Sequence, residues 1–93
     1  MSIAPDFAFL TNHGKTLLVI AHDPRIRIRD IAALLGITER ATQLIVSDLA
    51  HEGYLVKERV GRRNRYTLAA GLPLRHAAES GHSVDELVKI FSS

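Results

Sequence analysis

The sequence predicts a mainly α chain with one small β-hairpin and a short helix near its end. Three observations predict it. Residues 30–55, DIAALLGITERATQLIVSDLAHEGYL, place two apolar-striped stretches of helical period on either side of a corner made by Gly36, Ile37 and Thr38. Residues 54–60 and 65–68 are strand candidates joined by GRRN at 61–64, which supplies Gly and Asn at a turn. Ser83 and Glu86 form an S-x-x-E capping box that opens a stripe of Val84, Leu87, Val88 and Phe91.

The chain has 93 residues, the size of a single domain (1–93), with a core at 11–68 and a C-terminal extension at 69–93. Folding at this size buries roughly 60 to 65% of the unfolded chain's surface. At 46% hydrophobic and 24% charged residues, the composition is that of an ordinary globule rather than a disordered or fibrous chain. The absence of cysteine excludes a disulfide framework, a thiolate metal site and a thiol nucleophile, and fits a reducing, cytoplasmic setting. The longest apolar run, residues 17–21, is far too short to span a bilayer, and Asp6 stands where a signal sequence would carry basic residues. The net charge of +2 is unevenly spread: residues 25–65 hold nine basic against five acidic side chains, locally +4, and the rest three against five, −2. A positive centre suits a polyanionic partner, although such runs also occur as plain solvated faces.

The elements follow in order. Ile3, Phe7, Phe9 and Leu10, around Pro5, suggest an irregular arm packed on the body. Thr11 or Asn12 caps a helix reaching about His22, stopped by Asp23 and Pro24. Its nearly continuous apolar residues mark it as the central buried helix. RIRIR at 25–29 alternates strictly, so its first part reads as a short strand. The next helix, from Asp30, draws an apolar face from Ile31, Leu34 and Leu35, with small Ala32 where a second helix approaches and Gly36 as its stop. Thr38 caps the following helix, residues 39–52. On a wheel at 100° per residue, Arg40, Gln43, Leu44 and Ser47 share one face, and Thr42, Ile45, Val46 and Leu49 the other. Gly53 ends that helix and the hairpin follows. Residues 71–82 read as loop, broken by Gly71, Pro73 and Gly81, ahead of the last helix. The order helix, strand, helix, helix, strand, strand defines a winged helix-turn-helix.

Residues 11–68 resemble small bacterial winged helix-turn-helix transcription regulators of the MarR and ArsR kind. The motifs that carry the resemblance are RDIAALLGIT at 29–38, TERATQLIVSDLAHEGYL at 38–55 and VGRRNRYTL at 60–68, and LPLRH at 72–76 resembles the tail that follows the wing in short members. The resemblance implies that the helix from Glu39 lies in the DNA major groove and that the wing, residues 59–65, lies along the backbone or minor groove. Related sequences usually carry a basic or polar residue where Leu44 stands, so here the reading face gains apolar surface and loses one polar contact.

The residue types agree with that expectation. Arg40 can fork onto guanine and Gln43 onto adenine, with Ser47 a shorter donor, and a good bidentate pair gives roughly 1 to 3 kcal/mol of discrimination. A solvated helix face is the bland alternative. Arg62, Arg63 and Arg65 cluster at a tight turn that Lys, Glu or Ser would serve equally well, which favours phosphate contact. The candidate DNA-facing set is therefore Thr38, Glu39, Arg40, Gln43, Leu44, Ser47, Arg59, Arg62, Arg63 and Arg65. GKT at 14–16 is not a phosphate loop, because Phe9 stands where its first glycine belongs. No pair among His13, His22, His51, His76 and His82 has the i, i+4 spacing of a helical metal site, and Asp48 with Glu52 lacks a His or Cys partner. No catalytic residue, metal or cofactor is expected. The expected function is sequence-specific double-stranded DNA binding in transcription regulation, as a homodimer joined through Phe7, Phe9, Val84, Leu87, Val88 and Phe91. The competing expectation is a winged-helix protein-interaction module that uses Leu44 and the basic wing.

Overall fold

The computed structural model describes residues 8–69 and 71–91. Its elements are α1 (Asn12–His22), α2 (Ile28–Leu35), α3 (Glu39–His51), β1 (Leu55–Val60), β2 (Arg63–Leu68), a 3-10 turn (Ala77–Glu79) and α4 (Val84–Phe91). The expected hairpin and helices are present. Among the described residues the sheet is the two-stranded antiparallel hairpin alone.

Each helix boundary has a local cause. Thr11 caps α1 by accepting the Gly14 N–H at 3.2 Å, and Thr38 caps α3 by accepting the Ala41 N–H at 3.0 Å. Gly53, at φ 85°, ends α3 in a complete Schellman arrangement: the Tyr54 N–H reaches the Leu49 carbonyl at 2.8 Å and the Gly53 N–H reaches that of Ala50 at 3.1 Å. Gly36 does the same work after α2, where the Ile37 N–H bonds the Ala32 carbonyl at 3.1 Å. A side chain at either glycine would be strained by the positive φ.

The core gathers Leu17 and Ile20 of α1, Ile31 of α2, Ile45, Val46 and Leu49 of α3, Leu55 and Tyr66 of the hairpin, and Val84 of α4. α1 packs against α2, α3, β2 and α4, which makes it the hub, although Leu18, Val19 and Ala21 stay only half-buried. Two threonines are wholly buried, and each returns its hydroxyl to the carbonyl four residues back, Thr16 to Asn12 at 2.7 Å and Thr42 to Thr38 at 2.9 Å. Their polar atoms therefore need no water.

Two local expectations are corrected. The alternating RIRIR segment forms no strand. Asp23 starts a turn instead, its side chain accepting the Arg25 N–H at 3.2 Å and its carbonyl the Ile26 N–H at 3.1 Å, and Ile28 already opens α2. One backbone bond, Tyr66 N–H to the Pro24 carbonyl at 2.9 Å, ties the segment to β2. The alternation survives as burial, with Ile26 and Ile28 half-buried and Arg25, Arg27 and Arg29 exposed. Leu34, placed on the apolar face of the first helix, is 67% exposed. Because α2 begins at Ile28, its inward stripe is Ile28, Ile31, Ala32 and Leu35, and Leu34 falls outside that arc.

Candidate nucleic-acid interface

α3 divides its side chains as the helical wheel requires. Thr42, Ile45, Val46 and Leu49 are buried against α1, α2 and β1, while Glu39, Arg40, Gln43, Leu44 and Ser47 are exposed. Leu44 is 58% exposed between polar neighbours. Thr38 sits at the start of this face, where its hydroxyl oxygen is occupied by capping and its O–H remains a donor.

The hairpin register decides which wing residues stand beside α3. Leu55 pairs with Leu68, Lys57 with Tyr66 and Arg59 with Asn64, and these share the face that carries the buried Leu55 and Tyr66. Lys57 and Asn64 therefore turn toward α3. With Gln43, Val46, Ser47, Ala50, Ile28 and Tyr66 they enclose a recess of about 380 Å³. A second recess of about 300 Å³ shares the Ile28, Asn64 and Tyr66 wall and is completed by Arg25, Ile26, Arg27, Arg62 and Arg63. Together they make one groove from the outer face of α3 to the wing tip.

The turn at that tip consists of Gly61 and Arg62, flanked by the pair Val60 and Arg63. Gly61, at φ 64°, takes the first central position, as in the two-residue hairpin turns that match strand twist. The wing arginines then diverge. Arg62 and Arg63 face Arg25 and Arg27, and an Arg63 N–H bonds the Arg25 carbonyl at 2.6 Å. Arg59 turns back on the turn, its Nε–H reaching the Gly61 carbonyl at 3.3 Å. Arg65 lies on the hairpin face opposite Lys57 and Asn64, the face that Arg63 shares by register, and pairs with its cross-strand neighbour Glu58 at 3.0 Å, so a carboxylate already engages its guanidinium. Sequence reasoning missed Lys57, Asn64, Arg25 and Arg27 as candidates. The i, j pairing of the hairpin was the available signal for the first two; the last two need the tertiary contact between Arg25 and Arg63.

The other polar candidates have structural uses. His13 pairs with Asp48 at 3.0 Å, joining α1 to α3. Arg75 donates to the Glu52 carboxylate at 2.6 Å and the Glu52 carbonyl at 2.7 Å while its guanidinium lies 4.9 Å from the centre of the Tyr54 ring. The carboxylates of Asp48 and Glu52 thus turn to separate partners. Among the described residues no group of three ligating side chains comes together, and no helix is long and apolar enough to cross a membrane.

On the C-terminal side, Val84 is 2% exposed and belongs to the core of this chain, so it does not lie on a seam open to a partner. The tie of the Val84 N–H to the Leu72 carbonyl at 2.9 Å and the α1–α4 contact turn the start of α4 inward. Leu87 and Val88 are half-buried, and Phe9, Ile90 and Phe91 are exposed. Phe7 lies outside the described residues.

No protein-family model matches the chain, and no curated protein matches it in sequence. Solved structures do match in fold. The PcaV transcriptional regulator from Streptomyces coelicolor aligns with a TM-score of 0.55 at 24% identity, over 63% of this chain and 46% of that one. The same regulator in complex with its natural ligand aligns with a TM-score of 0.58 at 22% identity, over 96% of this chain and 63% of that one. MepR, a transcription regulator of the Staphylococcus aureus multidrug efflux pump MepA, aligns with a TM-score of 0.61 at 18% identity, over 87% of this chain and 53% of that one. The chain therefore spans 46 to 63% of the length of these regulators. At such identities the likeness is one of architecture, and with the elements and register above it shows the fold of this chain to be a winged helix-turn-helix, the fold it shares with these solved structures.

Proposed function

We propose that this protein is a sequence-specific double-stranded DNA-binding transcription regulator. The observation that carries the proposal is the groove itself: an exposed face of Arg40, Gln43 and Ser47 continues past Lys57 and Asn64 to a cluster of wing arginines. α3 enters the major groove, where Arg40 and Gln43 meet base edges, and the hairpin follows the backbone or minor groove through Arg62 and Arg63. The fold shared with solved regulators supports this reading. Two copies bind two half-sites, joined through Leu87, Val88 and Phe91 of α4 with Phe9 and Phe7, which places the two α3 helices about 34 Å apart, one DNA turn.

Duplex binding measured against salt tests the proposal. Affinity falls steeply, with a log–log slope near −0.9 per phosphate neutralised. Arg40→Ala or Gln43→Ala changes preference at particular base pairs by roughly 1 to 3 kcal/mol, whereas Arg62→Ala weakens all sequences about equally and flattens the slope. No association with genomic duplex at low salt overturns the proposal and leaves the exposed Leu34 and Leu44 to a protein partner.

A further inference from the structure

The recess beyond the Ile28, Asn64 and Tyr66 wall is lined by four arginines and by no carboxylate. Arg25 and Arg27 come from the link between α1 and α2, Arg62 and Arg63 from the wing. Their closeness is fixed rather than incidental: an Arg63 N–H holds the Arg25 carbonyl at 2.6 Å, and the Tyr66 N–H holds that of Pro24 at 2.9 Å. The neighbouring acids do not line the recess, and two of them have other partners. Asp23 accepts the Arg25 backbone N–H, Glu58 pairs with Arg65, and Asp30 stands in the first turn of α2.

The placement also works against the fold. Arg27 is the N-cap of α2 and makes no side-chain capping bond, whereas α1 and α3 are each capped by a threonine. Arg27 and Arg29 therefore set cations at the positive end of a helix, where they oppose the dipole and only Asp30 in the same turn offsets them. A sequence that caps α1, α3 and α4 with hydroxyl side chains but leaves α2 uncapped beside a cluster of like charges points to a function at that place. Guanidinium groups fork onto phosphate oxygens, and Arg63, with five N–H donors, has several left after its bond to Arg25.

We infer that this recess is a phosphate site, filled by one phosphodiester of the DNA backbone and built by Arg25 and Arg27 together with Arg62 and Arg63. The inference rests on the DNA-binding reading and adds to it a second anchoring element, outside both the recognition helix and the wing. Because the recess shares its wall with the one under Gln43 and Ser47, the phosphate held there sets the register of α3 in the groove.

Arg27→Ser supplies a capping hydroxyl and removes one cation. The melting temperature of the free protein rises by a few degrees, while the log–log salt slope for duplex binding shrinks by up to about 0.9, the limit set by one phosphate. Arg25→Ala acts on the same phosphate, shrinks the slope within the same limit and serves where Arg27→Ser folds poorly. Wild-type slope in both variants overturns the inference while wild-type duplex binding still stands. A fall in melting temperature of Arg27→Ser also overturns it, since the arginine is then structural. If the wild type binds no duplex, the DNA reading and this inference fall together. Inorganic phosphate titrated into the free protein then shows whether the four guanidinium groups, followed by their Nε–H resonances, hold a small anion instead.

Discussion

Leu44 is the residue whose chemistry least matches its surroundings, a 58% exposed leucine on a face otherwise made of Arg40, Gln43 and Ser47. In a major groove the apolar group available to it is the thymine C5-methyl. Replacing thymine by uracil at the contacted position is expected to weaken wild-type binding about fourfold, from roughly 0.8 kcal/mol for one buried methyl, and to leave Leu44→Ala unaffected. A fluorescence-anisotropy titration of both duplexes checks it; equal loss in wild type and variant rejects the contact. The division of α3 into core and outer faces was legible from the sequence, because a 3.6-residue period sorts side chains without knowledge of any partner. Leu34 was misplaced for the complementary reason. In a run as apolar as IAALL the period alone does not choose the face, and the start of the helix at Ile28 does.

At the scale of elements, the C-terminal end of α3 is closed by a residue remote in sequence. Arg75 satisfies the Glu52 carbonyl, pairs with its carboxylate and covers Tyr54, whose hydroxyl donates to the Pro73 carbonyl at 2.8 Å. The strap after the wing is thereby fastened to α3. Both partners of the ion pair are half exposed, so solvent screening keeps the expected loss in Arg75→Ala to about 1 kcal/mol, with most of it from the carbonyl bond and the ring contact. Arg75→Lys recovers little of it, because an ammonium cannot make the forked contact. Urea denaturation of the three proteins measures both. None of this was legible beforehand: LPLRH gives no sign that its arginine faces a helix end 23 residues earlier. The hairpin was legible to within two residues, since Gly61 and the flanking β-formers act locally. The strand expected at 25–29 failed because a ladder needs a partner, and the turn started by Asp23 leaves the link a single backbone-to-backbone bond to β2, from the Tyr66 N–H to the Pro24 carbonyl.

For the whole molecule, the exposed apolar end of α4 is the surface that the proposed dimer uses. Ile90 is 75% exposed beside Phe91, and the two-fold contact proposed above would cover both. Sedimentation of the wild type is expected to show a dimer at micromolar concentration, and Phe91→Asp a folded monomer with unchanged helical circular dichroism. A monomeric wild type at high micromolar concentration rejects the pairing. The opposite end of the same helix carries a different consequence. Val84 joins the core with residues that precede it by up to 67 positions, such as Leu17. A ribosome-bound chain that has exposed α1, α2, α3 and the hairpin still lacks this residue, so Leu17 and Leu49 stay partly uncovered while the nascent segment grows. α3 and the wing thus reach their final packing only after residue 84 has left the exit channel, rather than element by element.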